Sequence, residues 1–186
     1  LVPGPAVTYT SAEATGSLTF TPTSDASGST VITVSVEDGG LDGDLSSTSD
    51  NATTSQTFTV TVDPVNDLPT VAAISNIGLA ENAAEQTVNL SGITAGGGES
   101  QPLRVTASSG NADLIANLTI VYTSADSTGS IKFTPVSDAS GSVVITVTVE
   151  DGGLDGDLNT AGDNLNHSET FTVTVSPVND LPTLAS

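Results

Sequence analysis

The sequence predicts an all-β protein: tandem seven-stranded antiparallel Greek-key β-sandwiches, the first of them truncated. Three observations predict it. First, Val143, Ile145, Val147 and Val149 alternate with Thr146 and Thr148, and Phe171, Val173 and Val175 with Thr172 and Thr174. Successive side chains of an extended chain point to opposite faces, so this spacing makes strands with one buried face. Second, the sequence returns on itself. EDGGLDGDL at 37–45 recurs at 150–158, TFTVTV at 57–62 recurs at 170–175, and PVNDLPT at 64–70 recurs at 177–183, always 113 residues apart. That period suits a sandwich of about 100 residues. Third, the chain is rich in Val, Thr, Ser and Gly, with 3% aromatics, and no apolar spacing of helical period runs for a useful length. Short strands joined by turns follow from such a composition.

Taken in order, a complete repeat spans 70–182, with strands expected at about 71–78, 86–90, 103–108, 118–123, 130–134, 143–149 and 169–175. In the first copy, residues 1–69, Ile32, Val34 and Val36 and Phe58, Val60 and Val62 play the parts of the last two strands. Leu1 aligns with Leu114, so this copy holds only the last four strands. A half sandwich leaves an apolar face and open edges. It is expected to pack on a partner chain or to belong to a longer molecule. Residues 183–186 read as the start of a further repeat. Phe20, Phe58, Phe133 and Phe171 fall on inward positions and are expected in the core, as Tyr9 and Tyr122 are expected in core or strand-edge packing.

Charge narrows the function. Twenty-two acidic residues face two basic ones, Arg104 and Lys132, for a formal charge of −20. No basic patch exists to displace counterions from phosphates, which argues against nucleic acid and against direct contact with a membrane. There is no cysteine. The single histidine, His167, aligns with Thr54 and lacks a second histidine or a nucleophile partner, so no enzyme activity is expected.

Ten of the acids crowd into 37–50 and 150–163. The segment between the last two strands is far longer than the usual hairpin loop of about two to five residues. It carries Asp151, Asp155, Asp157 and Asp163, mirrored by Asp38, Asp42, Asp44 and Asp50. Two carboxylates ~4 Å apart repel by about 1 kcal/mol in water and by more where the dielectric is lower. Calcium relieves such crowding, because it accepts six to eight oxygens in flexible geometry. The spacing Asp155-x-Asp157-x-Asn159 resembles the start of a calcium loop. It lacks the sixth-position glycine, where Thr160 stands, and the twelfth-position glutamate, where Asn166 stands. A solvated acidic loop that serves solubility is the competing reading.

The order Leu79-Ala80-Glu81-Asn82, then Val149-Glu150-Asp151-Gly152-Gly153, then TFTVTV and Pro177-Val178-Asn179-Asp180-Leu181-Pro182 resembles bacterial cadherin-like repeats. These are immunoglobulin-like sandwiches strung in tandem in large surface and secreted proteins. The resemblance implies calcium at the junctions between repeats. Matched by position, one end of the complete repeat would offer Glu81, Asp138, Asn179 and Asp180. The junction inside the chain would combine Asp25, Asn66 and Asp67 with Asp151. Asp138 stands where animal cadherins carry an Asp-Arg-Glu motif, a departure from the pattern. The expectation is an extracellular or cell-surface module, structural or adhesive, calcium-stiffened, and part of a long surface protein or filament. Its partners would be neighbouring repeats or other copies of the chain, with surface glycans or proteins as further candidates. The alternative is a polysaccharide-binding accessory module of a secreted bacterial protein.

Overall fold

The computed structural model describes residues 1–11, 13–47 and 49–182. The expected start of a further repeat at 183–186 lies outside the described residues. Eleven strands follow in order: β1 Ala6–Thr8, β2 Ser17–Thr19, β3 Gly28–Glu37, β4 Thr53–Val62, β5 Ile77–Ala80, β6 Gln86–Ser91, β7 Leu103–Ser109, β8 Leu118–Val121, β9 Thr128–Phe133, β10 Gly141–Asp151 and β11 Asn166–Ser176. The chain divides into two compact units, Leu1–Val65 and Asn66–Ser186.

The second unit is a β-sandwich. One sheet has the order β5-β11-β10-β7 and the other β6-β9-β8. The alternation that predicted β10 places Val143, Ile145, Val147 and Val149 inward, buried against Val105, Phe133, Phe171 and Val173. Burying one such side chain contributes about 1.5–3 kcal/mol, so the aliphatic layer supplies most of the driving force for this fold. On the opposite face Ser142 and Thr148 share hydroxyl hydrogen bonds with Thr174 and Ser168.

Two expectations need correction here. The sandwich is not wholly antiparallel, since β5 runs parallel to β11, Ile77 against Val173 through Ala80 against Ser176. The strand expected over 71–78 is also regular only from Ile77. The preceding residues change sheets. Thr70 bridges Thr94, the Ala72 amide donates to Ser91, and Asn76 Oδ1 then accepts the Thr172 amide, which brings the chain to the β11 edge.

The first unit holds the pairs β1–β2 and β3–β4, both antiparallel, in the same register as β8–β9 and β10–β11. Among its described hydrophobic residues only Ile32 is buried. The expectation that Phe20 and Phe58 are core residues therefore fails. Phe58 is 42% exposed where its counterpart Phe171 is 2% exposed. The cause is the segment that covers them. Val88, Leu90, Ile93, Leu103 and Val105 close the core of the second unit, and residues 1–65 contain no equivalent. Tyr122 packs against the core, whereas Tyr9 is exposed.

Phe171→Ala should therefore destabilise the second unit by about 3–5 kcal/mol. Phe58→Ala, its sequence equivalent, should cost under ~1 kcal/mol. Urea unfolding of the two variants, followed by far-ultraviolet circular dichroism, reads the difference.

Candidate functional site

The inward alternation of β10 does not stop at Val149. Two residues on, it turns Asp151 inward too, and this carboxylate is fully buried. Its Oδ1 accepts three hydrogen bonds: the Gly153 amide at 2.9 Å, the Leu165 amide at 2.9 Å and Asn66 Nδ2 at 3.0 Å. Its Oδ2 has no partner. A buried carboxylate oxygen without a donor or a cation is costly, because the low dielectric around it replaces water with nothing.

A polar chain leads away from this group. Asn66 Nδ2 also donates to the Asp163 carbonyl at 2.8 Å, and Asn66 Oδ1 accepts from Gln101 Nε2 at 2.7 Å. Gln101 Nε2 reaches Glu99 Oε2 at 3.0 Å, and the Asp67 amide donates to the same oxygen at 3.2 Å. Gln101 Oε1 and Asn164 Oδ1 are buried and unpartnered as well. Asp67 lies against the Gly96-Gly97 backbone, where added Cβ atoms would collide with it. Glu99, Gln101 and Asn164 were not among the residues nominated from the sequence. The run Gly96-Gly97-Gly98 just before Glu99 was the available signal, since such a run marks close backbone approach.

The oxygen-only donor set fits a hard dication. Asp151 Oδ2, Gln101 Oε1 and Asn164 Oδ1 are among the buried side-chain atoms left without partners, as is Asn51 Oδ1 at the position matching Asn164 in the first unit, and the Glu99 carboxylate belongs to the network that reaches Asp151. Among the described residues, no three His, Cys, Asp or Glu side chains group into a cation cage on their own. A cation here would depend on amide and carbonyl oxygens beside Asp151, a mixture usual for calcium.

The acidic loop resolves differently from its crowded appearance in the sequence. Asp155 accepts the Asp157 amide and the Thr160 hydroxyl, both at 2.8 Å, while Asp157 accepts the Asn159 amide and side chain. Asp163 Oδ2 accepts the Leu154 amide at 2.7 Å. Each carboxylate caps a turn of its own loop, so the crowding is relieved by backbone N–H dipoles. The first unit repeats the pattern. Asp38 accepts the Gly40 and Ala52 amides, Asp42 accepts Asp44, Asp44 accepts Ser46, and Asp50 accepts Leu41. Backbone donors from Ala52 and Gly40 pull the Asp38 carboxyl below the ordinary aspartate range. The Asp44 amide does the same for Asp42, the Ser46 hydroxyl and amide for Asp44, and the Asn159 amide and side chain for Asp157.

The remaining nominated residues have local partners or none. Glu81 is buried, and its Oε1 accepts the Val178 amide at 2.6 Å, which ties it to the segment carrying Asn179 and Asp180. Both of those are exposed. Asp138 is exposed and exchanges two hydrogen bonds with Asn82, at 3.0 and 3.1 Å. Asp25, in the first unit, is exposed in a turn of positive φ, the conformation of its counterpart Asp138.

Fold and site together define a class: an all-β sandwich repeat with an acidic, oxygen-lined tip. No family model matches the chain, and no curated protein matches it. Among solved structures it is similar to domains 4 and 5 of the S-layer protein SbsC, at 15% identity and a TM-score of 0.40, over 68% of this chain and 63% of that one. Domains 1–6 of the surface layer protein SbsC align at 15% identity and a TM-score of 0.45, over 89% of this chain and 18% of that one. The endo-fucoidan hydrolase MfFcnA4 from glycoside hydrolase family 107 aligns at 15% identity and a TM-score of 0.42, over 98% and 25%. The chain thus spans less than two thirds of each of these structures.

Two outcomes follow from the loop geometry. Carboxyl nuclear magnetic resonance titration should place Asp38, Asp42, Asp44 and Asp157 below the unfolded aspartate value of about 3.9. Because their folded values are depressed, the stabilisation is present above that value and fades as the pH falls through the folded values. Gly153→Ala should destabilise the loop by roughly 1–3 kcal/mol. Gly153 has a φ of +61°, and a Cβ there would come within 2.5–2.7 Å of the Asp163 carboxylate. Thermal melting measures the loss.

Proposed function

We propose that the chain is a structural spacer or adhesion module of a secreted or cell-surface repeat protein, stiffened by calcium and without enzymatic activity. One observation carries this reading: the fully buried Asp151 carboxylate keeps an unpartnered oxygen, and Gln101, linked to it through Asn66, keeps an orphaned amide oxygen as well. Calcium would be held there by Asp151, Gln101 and Asn164, with Glu99 available from the same network. The ligands come from the inter-strand loop and from the 96–101 loop, which Asn66 joins. A cation at this point ties a linker segment to a sandwich tip, and that is the mechanical task of a spacer. The net charge of −20 favours the same role, since dications relieve the self-repulsion of an acidic array.

Extracellular calcium modules bind with dissociation constants near 10⁻⁴–10⁻³ M, and free calcium at about 100 times that constant adds ~2.7 kcal/mol. Millimolar calcium should accordingly raise the melting temperature of the second unit by roughly 10 °C over the chelated protein. Asp151→Asn should abolish that response. In chelator the variant should melt no lower than the parent, because an amide in place of the carboxylate removes a buried charge and keeps the acceptor for Gly153 and Leu165. A melt that does not move between chelator and 10 mM calcium (about 10–100 times the expected constants) sinks the metal assignment.

A further inference from the structure

We propose that Asn66 is a built-in stand-in for a cation at the Asp151 carboxylate and sets how far the second unit depends on calcium, a role that rests on the calcium reading above. Asp151 is fully buried, and the side chains that carry positive charge are committed elsewhere. Arg104 pairs with Glu150 and Lys132 with Glu85, and the chain has no other Lys or Arg. What faces the carboxylate instead is amide hydrogen, from the Gly153 and Leu165 backbone and from Asn66 Nδ2. The two backbone donors come with the 151–165 loop itself. Among the described residues Asn66 is the one donor to Asp151 that arrives from another segment, and the one that a substitution can remove.

The orientation of Asn66 is forced. Its Nδ2 lies between two groups that only accept, Asp151 Oδ1 at 3.0 Å and the Asp163 carbonyl at 2.8 Å. An oxygen in that place would repel both, so Oδ1 points away and accepts from Gln101 Nε2 at 2.7 Å. Gln101 is held in the same manner. Its Nε2 gives one hydrogen to Asn66 and the other to Glu99 Oε2 at 3.0 Å. Turned over, its oxygen would face the Asn66 oxygen and a carboxylate. Each carboxamide carries two N–H hydrogens, and all of them are now taken. One oxygen must therefore go without, and it is Gln101 Oε1, buried and unpartnered. Asn66 thus satisfies Asp151 Oδ1 and, through the same hydrogen-bond chain, leaves Gln101 with an oxygen free for a dication.

Aspartate at position 66 makes the role visible. It matches asparagine in size and would still accept from Gln101, but it would set an oxygen against Asp151 Oδ1 and the Asp163 carbonyl. Two carboxylates in contact at a buried site repel strongly unless a cation lies beside them. The chain places its acid one position along instead. The Asp67 carboxylate lies against Gly96 and Gly97, while its backbone amide donates to Glu99 Oε2. The order Asn66-Asp67 therefore keeps a carboxylate away from Asp151 and puts a donor there. A dication at Asp151 Oδ2 leaves that hydrogen bond intact, because Asn66 holds the other oxygen.

The test melts the full 186-residue chain and its Asn66→Asp variant, each in chelator and in about 10 mM calcium. In chelator Asn66→Asp should lower the melting temperature of the second unit by about 5–10 °C. In calcium the deficit should shrink to less than about half, because the metal takes over the task of the lost amide, so the variant gains more from calcium than the parent does. Adding Asp151→Asn to Asn66→Asp removes one of the opposed charges and should recover roughly half or more of the loss in chelator. That double variant decides the matter if Asn66→Asp alone does not fold. Asn66→Ala, lacking donor and acceptor alike, should speed exchange of the Gln101 side-chain amide hydrogens roughly tenfold or more, read by nuclear magnetic resonance. A parent that responds to calcium beside an Asn66→Asp deficit that is absent, or equal with and without the metal, overturns the role of Asn66 alone. Unchanged Gln101 exchange or no recovery in the double variant overturns it too. A parent that calcium does not move overturns the calcium reading, and this role with it.

Discussion

Strand β10 carries the constraint on which the rest of the second unit depends. Its two-residue period sends Val143, Ile145, Val147 and Val149 into the space between the sheets, and the same period sends Asp151 in after them. A strand cannot release one position from its alternation without a bulge or a break. The aliphatic packing that makes the sandwich therefore also dictates that a carboxylate is buried at its tip. What surrounds that carboxylate follows from the need to satisfy it. The 151–165 loop folds back so that Gly153 and Leu165 donate, and Asn66 is drawn in as the third donor. A fold requirement and a candidate binding site share one strand.

Much of the architecture was legible because it depends on local periodicity. β10 and β11 were readable from alternation alone, and the repeat offset transferred them to β3 and β4 with the register intact. The sheet change at 70–77 was not readable, because it is set by partners distant in sequence: Thr94, Ser91 and Thr172. Composition gave no hint of the parallel β5–β11 pairing for the same reason. Identical local sequence also proved insufficient to fix burial. Phe58 and Phe171 sit in the same TFTVTV string, and only the second is covered.

The site was legible in part, and the shortfall has a physical cause. Asp151, Asn66 and Asp67 were nominated by their place in a repeat pattern, and the structure brings Asn66 onto Asp151 while placing Asp67 against Glu99. Counting charges overstated the tension in the loop, since a sequence does not display where backbone N–H groups point. Asp155, Asp157 and Asp163 each terminate a turn and are individually satisfied. Glu99, Gln101 and Asn164 escaped notice because a neutral amide carries no formal charge to count, although its oxygen is as available to a cation as a carbonyl.

The two halves of the chain separate what sequence specifies from what neighbours specify. In both, the loop between the last two strands has the same internal hydrogen bonds: Asp38 and Asp151 each accept two amides at matching positions, and Asp50 and Asp163 each accept the amide nine residues back. That conformation is local and survives without the covering strands. Burial of the aspartate is not local. Asp151 loses all contact with water when residues 66–113 close over it, whereas Asp38 remains exposed. The covering segment thus turns a solvated turn-capping carboxylate into a buried one with an oxygen to spare. Desolvation, more than the number of acids in the loop, distinguishes the two tips.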